Sequence, residues 1–415
     1  MRGPLKGLRL HIGIFGRRNV GKSSLLNAIT RQHVSIVSDV AGTTTDPVEK
    51  PMEFLPLGPV LFVDTAGIDD IGGLGEMRVQ KTRKVLDRVD LGIVVAAEEW
   101  GDFENGIVTE LRERDVPVIA ALNKSDLRAP SEATIQWLEA MELPWVSTRA
   151  DTGEGVLRLR ELLLENAPPD FLGGKVLLAD LVGPGGTAIL VMPIDKEAPK
   201  GRLILPQAQA IRDLLDHHAL SVVVQEGQLR DAIAQMKERP KLVVTDSQAF
   251  RNVAALTPID IPLTGFSILF SRYRGDLITQ VEGTLAVDKL KPGDRILVAE
   301  ACSHHPIGED IGRVKIPGWL TEYVGGPLEF TTVQGHDFPE DLSPYSLVVH
   351  CGACMINRRE VLNRILRCRN AGIPITNYGL VIAYSLGVLE RALGPFPEAL
   401  DVYRRLADST KPVQS

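Results

Sequence analysis

The chain has 415 residues, of which 44% are hydrophobic and 24% charged, and its formal net charge is −7. This length predicts two to four domains, and the acidic balance argues against a general nucleic-acid binder. No apolar run reaches the roughly 18 residues that a membrane span requires, and the first residues lack the apolar segment of a signal peptide. Because four cysteines are too few for a disulfide framework, we expect a reducing cytoplasmic setting in which clustered cysteines bind metal.

A glycine-rich loop stands near the start of the chain, between an apolar run and a helical pattern. Residues 16–24 read Gly-Arg-Arg-Asn-Val-Gly-Lys-Ser-Ser. Gly16 and Gly21 permit a tight turn whose backbone N–H groups point into one concavity at a helix N-terminus. Lys22 is expected to reach the β- and γ-phosphates of a nucleotide, and the hydroxyl of Ser23 to bind Mg²⁺. The pattern predicts a phosphate site, and the alternative is a glycine-rich turn with no ligand.

Residues 8–170 alternate short apolar strands with helical stretches, which is typical of a parallel sheet covered on both faces. The strand candidates are 8–15, 60–64, 91–96, 116–122 and 143–146, and the helical patterns are 77–88, 107–114 and 131–141. Ligands of such sheets bind beyond the carboxyl ends of the strands. Three polar motifs fall there, namely Asp64-Thr65-Ala66-Gly67, Asn123-Lys124-Ser125-Asp126 and Ser147-Thr148.

Each motif has a physical role at a nucleotide. Asp64 is expected to hold Mg²⁺ through water, and the N–H of Gly67 to contact a γ-phosphate. A carboxylate at Asp126 can accept both the ring N–H and the exocyclic amine of guanine, a pairing that adenine does not offer. Each tetrapeptide alone is a weak signal, since a surface turn reads the same way, but their order predicts GTP or GDP. The remaining predicted contacts are Asn19, Val20, Gly21, Lys22, Ser23, Ser24, Asn123, Lys124, Ser147 and Thr148.

The order of these motifs resembles the translation-factor-like GTPases of the TrmE and Era type, over residues 8–167. The resemblance implies that 42–46 is the first switch, that Thr44 is the second hydroxyl on Mg²⁺, and that Asn19 holds K⁺ against the phosphates. A structural turn asparagine is the alternative for Asn19. Because Ile68 stands where Ras-like proteins carry a catalytic glutamine, a bound monovalent cation is expected to meet the transition-state charge. The catalytic set is then Lys22, Asn19, Thr44 and Gly67.

A linker at 168–174 ends the GTPase pattern, and residues 175–262 read as a second small α/β unit without a catalytic constellation. Its strand-like runs are 176–182, 188–193, 221–225 and 241–245, and its helical patterns are 207–217 and 228–238. His217 and His218 point about 100° apart on a helix, which favours surface histidines at a helix end over a metal pair. Apolar strands with no visible ligand suit an association domain.

Residues 263–415 form the third predicted domain and hold all four cysteines. Cys302 follows the strand-like run 295–299, and Cys351 and Cys354 follow the run 346–349. If these strands are parallel neighbours, the two cysteine groups lie together at their carboxyl ends. Three converging thiolates with oxygen or nitrogen donors nearby suit an iron–sulfur cluster or zinc.

The rest of this domain is expected to be mainly helical, with patterns at 310–323, 357–369 and 387–406. Cys368 recurs with Val361 and Ile365 on one helix face, which favours a small buried apolar residue over a ligand. Gly394-Pro395 should interrupt the last helical stretch.

A GTPase of this type joined to Cys-x-His and His-Cys-x-x-Cys resembles the FeFe-hydrogenase maturation GTPases, the HydF family, over the whole chain. The resemblance implies an α/β fold with mainly parallel sheets, divided into a P-loop GTPase domain (1–170), a dimerisation domain (175–262) and a cluster-binding domain (263–415). It implies a 4Fe–4S cluster on Cys302, Cys351 and Cys354.

The same resemblance implies a function. The protein would be a GTP-hydrolysing scaffold or carrier for the di-iron precursor of the hydrogenase active site. Two radical-SAM maturases would supply the components and apo FeFe-hydrogenase would receive the product. We expect a homodimer with no membrane or nucleic-acid partner.

Three thiolates leave one iron of the cluster without a cysteine. The candidates by proximity are His304, His305, Glu309 and His350. Glu309 is favoured, because it follows a turn just before a helical pattern and can move without disturbing the strand ends, and the alternative for it is a surface or helix-start role. His304 and His350 fit the family motif and are the alternatives, although a residue beside a ligand can instead tune the site through hydrogen bonds.

Two other functions are also compatible with these residues. One is a TrmE/Era-like GTPase switch in RNA or ribosome assembly with a C-terminal structural zinc site. The other is a cluster carrier whose GTPase site is only a regulatory switch.

Overall fold

The computed structural model describes residues 9–30, 48–55, 57–65, 84–97, 99–172, 175–193, 203–301 and 311–410. The described residues fall into two compact units, one up to Lys175 and one from Val176 onward. Within these ranges, no helix has both the length and the apolar character that a membrane span needs.

In its described part, the first unit has six strands in one sheet. They are β1 (Leu10–Phe15), β2 (Val48–Phe54), β3 (Gly58–Asp64), β4 (Leu91–Ala96), β5 (Val118–Asn123) and β6 (Trp145–Thr148). The order across the sheet is β2-β3-β1-β4-β5-β6, and every neighbouring pair is parallel except β2 with β3. β2 was not predicted, since Pro51 and the charged residues of this segment are not typical of a strand. An edge position tolerates them because one side of the strand needs no partner.

Helices cover both faces of this sheet. Their bounds are Lys22–Thr30, Asp102–Glu113, Glu132–Ala140, Val156–Glu165 and Pro169–Leu172. Apolar side chains of the strands pack in two clusters, one on each face, as expected for a buried parallel sheet. The carboxyl ends of β1, β3, β5 and β6 therefore share one edge, where Ile14 lies beside Asp64 and Asn123 beside Thr148.

The described part of the second unit has two four-stranded sheets. One has the order β10-β9-β7-β8 and the other the order β12-β11-β13-β14, all pairs being parallel. The bounds are β7 (Thr187–Val191), β8 (Leu220–Val224), β9 (Leu242–Thr245), β10 (Leu263–Gly265), β11 (Arg295–Glu300), β12 (Glu329–Gln334), β13 (Leu347–His350) and β14 (Ile375–Asn377). The predicted α/β class with mainly parallel sheets is confirmed.

Helices surround these two sheets. Their bounds are Ala179–Val182, Leu205–Asp216, Leu229–Gln235, Phe250–Leu256, Phe266–Arg274, Leu277–Thr284, Ile316–Val324, Arg358–Asn370, Tyr378–Ser385, Leu389–Leu393 and Pro397–Thr410. One apolar cluster contains Phe250, Leu269 and Leu393, so C-terminal residues pack with those of the first sheet. The predicted division at 262 and 263 stays a prediction.

The prediction of a strand at 176–182 is wrong. Residues Ala179–Val182 form a short helix because the carboxylate of Asp213 accepts hydrogen bonds from the backbone N–H groups of Leu177, Leu178 and Ala179, at 2.8–3.0 Å. A carboxylate at this place stabilises a helix N-terminus. The partner lies more than thirty residues away, so a local reading could not detect it.

Three smaller predictions are confirmed. Cys368 is completely buried beside Val361 and Ile365. His217 follows the last residue of a helix and its side chain is exposed. The C-terminal helical stretch is interrupted after Leu393 and resumes at Pro397.

Candidate functional site

The loop between β1 and the helix Lys22–Thr30 depends on backbone positions that favour glycine. Gly16 and Gly21 have φ of +150° and +89°, and Asn19 has φ of +62°. A Cβ added at Gly21 would lie 2.4 Å from Nδ2 of Asn123, and one at Gly16 would lie 2.3 Å from the carbonyl oxygen of Val95. Both glycines are therefore needed for the loop to approach the neighbouring strand ends.

Lys22 already lies over this loop. Its Nζ donates hydrogen bonds to the carbonyl oxygens of Gly16, at 2.8 Å, and Arg17, at 2.7 Å. Arg17 in turn forms a two-pronged ion pair with the buried Glu104 of the helix Asp102–Glu113, at 3.0 and 3.2 Å. Sequence reasoning missed Glu104, which fixes the outer side of the loop.

Two of the predicted Mg²⁺ ligands lie together. The hydroxyl of Ser23 donates to Oδ2 of Asp64 at 2.7 Å. Burial raises the pKa of Asp64, and the hydrogen bond from Ser23 and the charges of Lys22 and Lys50 oppose this shift. A hydroxyl and a carboxylate beside a phosphate loop fit a partly hydrated Mg²⁺. Thr44 and Gly67 lie outside the described residues.

Asn123 connects three segments of the predicted nucleotide site. Its Nδ2 donates to the carbonyl oxygen of Val20 at 2.9 Å, while its Oδ1 accepts from the hydroxyl of Thr148 at 3.1 Å and the N–H of Ala150 at 3.3 Å. The next residue, Lys124, donates from Nζ to the carbonyl oxygen of Asn19 at 2.7 Å. These bonds hold the phosphate loop, the end of β5 and the segment after β6 in one arrangement.

The predicted guanine-binding carboxylate has an arginine partner that sequence reasoning missed. Nε of Arg149 lies 3.6 Å from Oδ1 of Asp126, and the same guanidinium reaches toward Asp151 and Glu154. Asp126 is thus at the surface of a small charged network beside the ends of β5 and β6. A cavity of about 590 Å³ lies nearby, lined by Ser24, Asn27, Ala28, Ala150, Asp151, Thr152, Gly153, Val156, Leu157 and Arg160.

The second candidate site lies at the carboxyl ends of β11 and β13. These strands are parallel neighbours with Ala299 beside His350. The sulfur of Cys351 accepts hydrogen bonds from the N–H of Ala301, at 3.0 Å, and of Ala353, at 3.4 Å. The sequence left open whether the two strands are neighbours, and the structure shows that they are. Ala301 is the residue directly before Cys302. Cys302, His304 and Glu309 lie outside the described residues.

The two described cysteines of this site are poorly ionised by themselves. Burial raises the pKa of Cys351 to about 11, and the charge of Cys354 adds to this shift. Burial also raises the pKa of Cys354. A cation that coordinates such thiols displaces their protons, so the donors fit a thiophilic metal group. No group of three or more metal-binding side chains occurs within the described ranges.

His350 is buried and has both ring nitrogens occupied. Its Nδ1 donates to the carbonyl oxygen of Cys351 at 2.8 Å, and its Nε2 accepts from Nη1 of Arg364 at 3.0 Å. Burial and the charge of Arg364 lower the pKa of His350 to about 3. Arg364 also forms a buried ion pair with Glu360 at 2.7 Å. The imidazole is therefore neutral and held as part of the scaffold.

Three family models match the chain. Residues 11–124 match the 50S ribosome-binding GTPases, residues 177–275 the hydrogen maturase F dimerization domain, and residues 278–395 the hydrogen maturase F tetramerization domain. The predicted GTPase domain and the resemblance to the maturation GTPases are confirmed.

Among curated relatives, GTPase Der of Wolinella succinogenes is 36% identical over 167 residues, which are 38% of this chain and 35% of that protein. The tRNA modification GTPase MnmE of Heliobacterium modesticaldum is 38% identical over 157 residues, 36% of this chain and 32% of that protein. The chain thus spans about a third of the length of these relatives. Among solved structures, Aquifex aeolicus Era with GDP and aluminium fluoride is 19% identical with a TM-score of 0.33, covering 59% of this chain and 97% of Era.

Proposed function

The chain belongs to the hydrogen maturase F family, whose two domain models together match more than half of it, and from this membership we propose its function. Its first unit hydrolyses GTP, and its second unit binds a 4Fe–4S cluster. The observation that carries the second half is the pairing of β11 with β13, which places the sulfur of Cys351 against Ala301, next to Cys302.

In the nucleotide site, each predicted residue has a distinct part. Lys22 leaves the loop carbonyls to bind the β- and γ-phosphates, and the loop N–H groups hold the same oxygens. Asp126 recognises guanine, and Asn123 keeps the base side and the phosphate side in register. Mg²⁺, held by Ser23, Asp64 and Thr44, would neutralise part of the phosphate charge. K⁺ held by Asn19 would neutralise more of it. Gly67 donates its N–H to the γ-phosphate.

Base specificity tests this half of the proposal. Asp126→Asn should shift nucleotide preference from GTP toward xanthosine triphosphate. An amide at this position matches the ring edge of xanthine, whereas a carboxylate matches that of guanine. Lys22→Ala should abolish hydrolysis of both nucleotides. An Asp126→Asn protein that still prefers GTP as strongly as the wild type would refute the role of Asp126.

In the cluster site, Cys302, Cys351 and Cys354 supply three thiolates and the fourth iron position takes a weaker ligand. Both nitrogens of His350 are used within the protein, and breaking its bond with Arg364 would leave a buried donor unpaired. This supports Glu309, with His304 as the alternative, over His350. A cluster bound in this way provides one iron at which cargo can attach and leave.

The spectrum of the reduced cluster tests the fourth ligand. Glu309→Ala should alter the paramagnetic resonance signal, while His350→Ala should change the stability of the protein more than the signal. If the signal changed only in His304→Ala, Glu309 would be excluded as the ligand.

The proposed cargo is the di-iron precursor of the FeFe-hydrogenase active site, with two radical-SAM maturases as donors and apo FeFe-hydrogenase as acceptor. Family membership supports this role. The thiol-rich site and the small number of cysteines support a reducing cytoplasm as its location.

We also propose a homodimer that uses β8. This strand lies at the edge of its sheet, and the side chains of Leu220 and Val223 are 59% and 47% exposed. An exposed apolar edge strand offers unpaired backbone groups to a second chain. Its location within the segment matched by the dimerization model supports the assignment.

A further inference from the structure

A buried arginine lies beside the cysteine loop without an assigned role. Arg274 ends the helix Phe266–Arg274, and its side chain is among the largest fully buried ones in the described ranges. Its Nη1 donates hydrogen bonds to the carbonyl oxygens of Ala353, at 3.0 Å, and Ile356. These two carbonyls lie on either side of Cys354 along the chain, so the guanidinium is fixed against the loop that carries two of the predicted iron ligands.

The guanidinium lies 5.6 Å from the centre of the Phe270 ring, but most of its N–H groups have no hydrogen-bond partner among the described residues. Its Nε and Nη2 are buried and find no hydrogen-bond acceptor among the described residues. Arg272 and Arg364 differ in having a carboxylate partner, since Arg272 pairs with Asp180 and Arg364 pairs with Glu360. An arginine keeps its positive charge inside proteins, and a buried charge without a counter-charge is strongly unfavourable. The fold therefore holds a positive charge and free donors where a negative partner is expected.

No carboxylate of the described residues bonds to Nε or Nη2 of Arg274, and the loop to which its Nη1 is bonded carries the thiol of Cys354.

We propose that Arg274 is the counter-charge of the cysteine-bound cluster and that its unpartnered N–H groups are donors for the sulfur atoms there. The inference rests on the proposed function. A cluster on three thiolates is anionic and gains one more negative charge on reduction, so a fixed positive charge favours the reduced state. Charge and hydrogen bonds to sulfur are established determinants of cluster potential.

The position of Arg274 in the chain adds a structural consequence. It lies in the segment matched by the dimerization model, whereas Cys351 and Cys354 lie in the segment matched by the tetramerization model. The helix Phe266–Arg274 begins directly after β10 of the first sheet of this unit. Arg274 therefore connects that sheet to the loop that carries Cys354.

Arg274→Gln tests the proposal, because the amide can still donate to the carbonyls of Ala353 and Ile356 while the charge is removed. The matched control is Arg272→Gln, on the same helix but paired with Asp180. Each full-length protein is reconstituted anaerobically, its iron and sulfide are counted, and its reduced cluster is titrated by paramagnetic resonance.

In Arg274→Gln we expect the ratio of reduced to oxidised cluster at a fixed potential to fall at least tenfold, a decrease of about 59 mV in midpoint for one electron. Arg272→Gln should match the wild type, and Arg274→Lys, which keeps the charge, should change the ratio less than threefold. A midpoint in Arg274→Gln equal to that of the control would overturn the proposal.

Two further outcomes also test the proposed role of Arg274. If Arg274→Gln does not fold, a tenfold fall in Arg274→Lys would assign the effect to loop geometry and refute the charge role. Wild-type protein that binds no iron and sulfide would refute the proposed function itself, and the inference with it.

Discussion

Asn123→Ala is the sharpest test of how the nucleotide site is held together. The substitution removes the side chain that connects the carbonyl of Val20, the hydroxyl of Thr148 and the N–H of Ala150. Thr148 is fully buried and Val20 nearly so, so water replaces these bonds poorly. The phosphate loop and the segment after β6 should then lose their common support.

The magnitude follows from the bonds that are broken. A buried polar group left unpaired costs about 1–3 kcal/mol, and at least two such groups result, which gives a loss of about 2 kcal/mol or more. Binding of GDP must then restore the arrangement that these bonds held, and since each 1.4 kcal/mol corresponds to a factor of about ten, the dissociation constant for GDP should rise by up to roughly thirtyfold. Thr148→Val, which removes a single bond, should raise it about fivefold.

The assay is fluorescence titration with a labelled GDP on the full-length protein. Asn166→Ala is the matched control, since the amide of Asn166, which directly follows the helix Val156–Glu165, makes one local hydrogen bond to the carbonyl of Leu162 at 2.9 Å. We expect the control to bind GDP within about twofold of the wild type, because this single, partly buried bond does not connect the segments of the nucleotide site. An Asn123→Ala protein that binds as tightly as this control would refute the assignment of Asn123 as the connecting residue.

Three further predictions follow from other parts of the chain. GTP hydrolysis should be faster in K⁺ than in Na⁺ at equal ionic strength if Asn19 holds the cation, and equal rates would exclude that role. Burial raises the pKa of Glu360, but the hydrogen bond from His336 and the charge of Arg364 hold it below its ordinary value. The ionised carboxylate therefore stabilises the folded protein at pH values above the pKa that Glu360 has in the unfolded chain. This stabilisation is lost as the pH falls through the lower pKa that Glu360 has in the folded protein. Glu360→Gln should therefore destabilise the protein by about 3 kcal/mol at pH 7 and by less near pH 4. A melting temperature that falls equally at the two pH values would contradict this prediction. Val223→Lys should weaken the dimer at least tenfold in sedimentation analysis, whereas Ile259→Lys, at another exposed apolar site, should not; a Val223→Lys dimer as tight as that control would exclude β8.

Local patterns predicted the parts of both sites whose spacing is set by a single strand and turn. The loop at Gly16–Gly21 and the strand ends before Asn123 and Cys351 could be placed because an apolar run followed by polar residues marks the carboxyl end of a parallel strand. The sequence did not determine whether β11 and β13 are neighbours, because strand order depends on the packing of the whole unit.

The missed features all depend on partners that are distant in the chain. Within the strand-like run 176–182, Asp213 stabilises a helix at Ala179–Val182. Glu104 holds Arg17 from another element. Arg274 reaches its loop across 79 residues, and in sequence it reads as one more charge at a helix end. Such contacts have no periodicity, so only the folded chain reveals them.

The central claim, that one chain hydrolyses GTP and binds an iron–sulfur cluster in separate units, is tested most directly by one paired measurement. Iron, sulfide and GTP hydrolysis are determined on the same anaerobic preparations of the wild type, Lys22→Ala and Cys351→Ser. We expect about four irons and four sulfides per chain in the wild type and in Lys22→Ala, with hydrolysis only in the wild type and Cys351→Ser. Zinc without sulfide in the wild type would contradict the account and favour a GTPase switch with a structural zinc site.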